Sequence, residues 1–195
     1  MPLHFFYEQE GKTMPAIEFV APAVMPENER ELLVHDHDMT SALEEYHQCE
    51  IGLSVIAREQ SESYLMRLVV LERLRAPRIP VEFGAIGIHL EFFAGPVRRL
   101  IVAGEKPLGA VLQDEHIHYH SEPKGFFKVR ADGFISTWLA ESEETIIWGR
   151  CNTLMDCQGE VFADIVEILP RALAAVPGSV HRNAQGCHSR KSSVH

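Results

Sequence analysis

No stretch of this chain approaches the roughly 20 consecutive apolar residues that a helix needs to cross a bilayer, because charges or histidines interrupt every hydrophobic run. The amino-terminal MPLHFFYEQEGK also lacks the basic and then apolar run of a secretory signal. Excess positive charge is missing too. Lys and Arg number 18 against 28 Asp and Glu, for a formal net charge of -10, so a nucleic-acid backbone or an anionic membrane would be repelled rather than gathered in. Cysteine is scarce, and Cys49, Cys151, Cys157 and Cys187 stand at no framework spacing. These absences lead us to expect a reduced, cytoplasmic protein with neither nucleic acid nor membrane as its partner. The 195 residues, 46% hydrophobic and 24% charged, are one domain's worth of ordinary globular composition, and no internal repeat divides them.

Along the chain, residues 1–25 carry three prolines, Pro2, Pro15 and Pro22, which predicts an irregular arm. From Pro26, acids in a first turn followed by Leu32 and Leu33, then a second start at Thr40 or Ser41, predict two short helices. CEIGLSVIARE and SYLMRLVVLERL are β-branched, aliphatic runs around the polar turn QSES and read as an antiparallel hairpin. VEFGAIGIHLEFF is a third strand, whose Gly84 and Gly87 mark a bulge or a close approach to a ligand. GPVRRLIVAGEKPLGAVL reads as two short helices broken at Gly104. EHIHYHSEPKGFFKVRAD alternates as a strand, and TIIWGRCNTLMD with EVFADIVEILP forms the last hairpin. The polar tail 177–195 is expected to be disordered. Hairpins and clustered helices predict an α+β domain over 26–176, built on an antiparallel sheet.

Five segments in order, LLVHDHDMTSALEE, YLMRLVVL, the strand around Gly84, GEKPLGAVL and WGRCNTLMDCQGEVFADIVEILP, resemble the chorismate pyruvate-lyase family. The resemblance implies an antiparallel sheet with helices packed on it and helical flaps over a buried pocket. It implies a monomeric or homodimeric lyase that eliminates pyruvate from chorismate to leave 4-hydroxybenzoate, without cofactor or metal. By the match, Arg67 grips a substrate carboxylate and Glu167 stands near the substrate hydroxyl, as the catalytic pair. Met39, Gly84, Leu108 and Gly109 would bind substrate, Met39 as an apolar wall and Leu108 through its backbone N–H. The chain departs from the family in two places. GAIGIH lacks the arginine that follows the matching glycine, and the last hairpin is one residue longer, so that setting Glu167 at the family position requires a bulge or slip.

Physical chemistry bears on the same positions separately. Arg67 lies inside the apolar run LMRLVV, where a guanidinium either lines a cavity or pairs, with Glu167 or Asp164 as the candidate partners. Within DIVEILP, Asp164 and Glu167 point to opposite faces of a strand, so one of them faces inward, where burial would favour a proton-carrying role. PLG is a helix start whose free N–H groups suit a carboxylate, and an ordinary cap explains it equally well. Trp148, Gly149 and Arg150 read as packing residues. HIHYH places His116, His118 and His120 on one face of a strand. The preferred reading is a solvated face, and the alternative is a zinc site using His116 and His118 with His35, His37 or a carboxylate.

Two other functions stay open. The same fold serves as the ligand-sensing domain of transcription regulators, which makes a small-molecule binding module an alternative, though no basic helix-turn-helix is seen in the sequence. A metal-dependent enzyme built on HIHYH is the other.

Overall fold

A computed structural model describes residues 1–171; the expected tail 177–195 lies outside the described residues. In it, seven strands form one sheet in the order β1-β5-β6-β7-β4-β3-β2, with every neighbouring pair antiparallel. The chain is thus α+β, as its pattern of hairpins and short helices implies. Among the described residues no helix is long and apolar enough to cross a membrane.

The predicted hairpin is β2 (Ile51–Gln60) with β3 (Tyr64–Arg73), followed by β4 (Pro80–His89). β6 (Ile146–Met155) and β7 (Val161–Leu169) form the last hairpin. Side chains alternate across the sheet with a period of two. Leu68, Val70, Phe83, Ala85, Val166 and Ile168 face α1 (Pro2–Gln9) and α6 (Gly133–Leu139) in one apolar cluster. The opposite face carries two clusters. One lies with α2 (Glu27–Leu33) and α3 (Met39–His47), the other with α4 (Gly95–Ala103) and α5 (Leu108–Asp114). α3 starts where Asp38 Oδ1 accepts the Ser41 N–H at 2.8 Å, and α4 ends on Gly104 at φ +69°, a left-handed conformation that costs glycine little.

Four expectations need correction. Residues 1–25 are not an irregular arm. Pro2 is tolerated in the first turn of α1, where its missing N–H has no partner to lose, and Leu3, Phe6 and Tyr7 bury one helical face. β1 (Ile17–Val20) then pairs with β5 (His120–Arg130). HIHYH is not a strand either: His116 has φ +54° in the turn after α5, and β5 begins only at His120. α6 was not expected; Asp132 caps it, accepting the N–H groups of Phe134 and Ile135 at 3.1 and 2.9 Å. Finally, Gly84 and Gly87 mark close approaches, not a bulge. A Cβ on Gly84 would lie 2.8 Å from Glu82 Oε1 and 3.1 Å from the Val166 carbonyl, and one on Gly87 would collide with the Tyr64 hydroxyl. A bulge does occur in the last hairpin, where Leu154 faces Ala163 and Met155 faces Val161, leaving Phe162 as the extra residue.

Asp132 also accepts the Tyr7 hydroxyl at 2.9 Å, which ties α1 to α6 across 125 residues of chain. Asp132→Ala removes a helix cap and orphans a buried phenol, so it should cost about 2–4 kcal/mol in urea unfolding. Asp132→Asn, which still accepts and caps, should recover most of that loss.

Candidate functional site

The two helix pairs do not close completely over the sheet. At the seam between them, under the starts of α3 and α5, lies a cavity of about 80 Å³. That exceeds the roughly 10–15 Å³ one water needs and falls short of the roughly 150 Å³ of a cavity engineered to hold benzene. A narrow occupant fits as it stands; a wider one has to part the helices. The floor is the sheet face bearing Arg67, Val69, Leu71, Glu82, Gly84, Ile86, Ile165 and Glu167, while Asp38, Met39, Pro107, Leu108 and Gly109 roof it.

All six residues singled out for catalysis or substrate binding, Arg67, Glu167, Met39, Gly84, Leu108 and Gly109, line this one cavity. Register brings the floor residues together. Arg67 on β3 stands beside Ile86, which stands beside Ile165; one row along, Val69, Gly84 and Glu167 align. Asp164 lines a different depression on the other sheet face, together with Tyr64 and Met66. His116 and His118 are not among the lining residues, and among the described residues no three His, Cys, Asp or Glu side chains are placed to share a metal ion.

The two charged residues differ sharply in how they are satisfied. Arg67 is 3% exposed and lacks a carboxylate partner. Its Nη1 donates to the Ile101 carbonyl near the end of α4 at 3.4 Å, and its Nε has no partner. Burial, and secondarily the charge of Arg58, push its pKa down to about 10, so the group remains a cation at neutral pH. Glu167, 4% exposed, is instead taken up by Arg150, whose Nε and Nη2 both donate to its carboxylate. Arg150 is fully buried, and its Nη1 also donates to the carbonyls of Leu33 and His35 at 3.0 and 3.1 Å. Arg150 thus ties the α2–α3 connection to the acid on the floor. Reading IIWGRCN as packing missed this, although by period two Arg150 shares its face with Asn152 and Leu154, both of which line the cavity.

Glu82, Asp38, Tyr119 and Asn152 also line the cavity and were not singled out. Glu82 was legible in principle, since in PVEFGAIG it stands two residues before Gly84 and hence on the same face. It is 4% exposed, and its Oε2 has no partner. Burial first, then the nearby Glu167, raise its pKa well above the usual carboxylate range, outweighing the opposite pull of Arg150. Tyr119 is likewise pushed up to about 12 by burial and then by Asp38.

No protein-family model and no curated protein matches the chain. Solved structures do. The chain is similar to PhnF from Mycobacterium smegmatis at 12% identity and a TM-score of 0.56, over 71% of this chain and 65% of that one. The effector domain of the same protein matches at 12% identity and a TM-score of 0.54, over 70% of this chain and 90% of the domain. A GntR-family transcriptional regulator from Bacillus cereus matches at 8% identity and a TM-score of 0.47, over 67% of this chain and 98% of that one. At such identities the likeness is one of fold.

Two outcomes follow from these geometries. Arg150→Met strands a buried carboxylate and should cost about 3–5 kcal/mol, whereas the double variant with Glu167→Leu should regain much of it in the same unfolding assay. His47, near Arg73, has neither ring nitrogen partnered, and burial and then Arg73 push its pKa down to about 4. The unfolded chain takes up its proton near pH 6.5 and the fold only near 4, so stability present above 6.5 is lost as pH falls through that window. Glu82 works in the opposite direction over rising pH, because its folded pKa is raised. The histidine contribution is therefore read as a difference: His47→Leu should lose less stability than wild type between pH 6.5 and 4.

Proposed function

We propose that this chain is a binding module that holds a small organic anion in the cavity beneath α3 and α5, with Arg67 gripping its carboxylate. One observation carries the reading: a buried guanidinium that is charged at neutral pH faces the cavity and pairs with none of its carboxylates, Glu167 being taken up by Arg150. Burying such a cation costs several kcal/mol unless a counter-charge arrives, and a bound anion supplies one. Met39 and Leu108 give the occupant apolar walls. The uncapped first turn of α5, at Leu108 and Gly109, offers backbone N–H groups at the roof. The fold likeness to an effector domain agrees with a receptor role, in which holding the ligand is the whole task. The reading needs neither metal nor cofactor.

Elimination of pyruvate from chorismate is the second reading, favoured by two buried acids, Glu82 and Glu167, facing the same cavity as the cation. Orientation and electrostatics would do most of the work there, since forming an aromatic ring drives the reaction. Glu167 is already committed to Arg150, which argues for a concerted internal hydrogen transfer over a step that borrows its carboxylate.

Arg67→Ala should fold and should lose roughly 10- to 150-fold in affinity for a small carboxylate such as hexanoate, the equivalent of about 1.5–3 kcal/mol, in an NMR titration. Unchanged affinity would remove the basis of the binding reading. In parallel, wild-type protein incubated with chorismate should release no pyruvate above the uncatalysed rate; release that Arg67→Ala abolishes would establish the lyase instead.

A further inference from the structure

Arg67 accounts for one polar end of the cavity, while the carboxyl of Glu82 remains without a role. It is more than nine-tenths buried, it faces the cavity, and its Oε2 meets no donor or acceptor. Its cross-strand neighbour on β3 is Leu71, which itself pairs with Leu53 on β2, so toward those strands the side chains are apolar. Gly84 makes the arrangement possible, because its missing Cβ leaves the space that Glu82 Oε1 occupies. The carboxyl therefore lies over the Gly84 row, two residues along β4 from the Arg67–Ile86 row, or about 7 Å at 3.3 Å per residue.

We propose that Glu82 contacts the ligand at the end opposite Arg67, and that the occupant is an organic anion carrying a neutral hydrogen-bond acceptor, such as a ketone oxygen, at its far end. This rests on the binding reading above and adds the chemistry of the second contact. The groups facing Glu82 are Glu167 from β7 and Arg150 from β6, already paired with each other, so neither neutralises it. A carboxyl kept neutral by burial offers one O–H donor, the group that a ketone or ether oxygen satisfies. A second carboxylate would instead bring negative charge toward Glu167, with Arg150 already spent. An apolar stretch suits the middle of the ligand, against Val69, Ile86 and Leu108.

Three six-carbon acids separate these possibilities in NMR titrations: hexanoate, 5-oxohexanoate and adipate. Wild type should bind 5-oxohexanoate about tenfold more tightly than hexanoate, as one net hydrogen bond implies, and adipate no more tightly than hexanoate. Glu82→Leu should abolish the preference, so that 5-oxohexanoate and hexanoate bind that variant alike. Glu82→Met, which keeps the length and removes the donor, should do the same, and it stands in should the leucine variant not fold by circular dichroism. A wild-type preference that survives both substitutions, the lack of any preference in wild type, or failure of all three acids to bind wild type would overturn the assignment. The two readings fail separately. Arg67→Ala with unchanged affinities for all three acids would sink the anion site itself, whereas an Arg67 dependence with no Glu82 effect would leave that site standing and remove only Glu82 from it.

Discussion

Arg150 is the constraint on which the site depends. A fully buried guanidinium is tolerated only with its donors occupied, and here they reach in two directions, to Glu167 on the sheet and to the backbone of Leu33 and His35. His35 completes the arrangement as a neutral ring. Its Nε2 lies 2.9 Å from the Leu32 carbonyl and so carries the proton, leaving Nδ1 to face Arg150 at 3.3 Å. Burial and then Arg150 push the His35 pKa down to about 4, so the ring stays uncharged beside the cation. The connection held this way leads directly into Asp38 and Met39, the roof of the cavity. Lid and floor are thus joined by one side chain.

With Arg150 and Glu167 satisfying each other, the cavity keeps two polar groups in reserve. Arg67 has a helix-end carbonyl and no anion; Glu82 has no hydrogen-bond partner for Oε2. Each is costly in an apolar setting, and a core selected for stability alone would carry leucines at both positions. It is this unspent polarity, facing a cavity beneath short helices, that motivates the proposed anion site. A likeness of fold to that effector domain does not specify a ligand.

Much of this was legible from residue order. Alternating apolar residues separated by QSES and DCQG foretold the two hairpins, and acids ahead of Leu32 and Leu33 foretold a helix, because period and capping are local properties. A lone arginine in LMRLVV pointed to a cavity or a partner for the same reason. Where expectation failed, the deciding contacts were distant in sequence. The arm 1–25 became a helix and a strand because a sheet edge at β5 and an apolar face near β4 were available to receive them. HIHYH alternates like a strand yet forms a turn, since nothing pairs with it before His120.

Local pattern alone therefore determined the α+β class and the hairpins, since it follows from backbone geometry that every residue shares with its near neighbours, but it left open which of Asp164 and Glu167 faces the cavity. Tertiary structure alone decided the charges. It paired Glu167 with Arg150, left Arg67 without an anion and set Glu82 over Gly84. Pairing between ions depends on which strands become neighbours and in what register, and the order β6-β7-β4-β3 joins residues up to about a hundred positions apart.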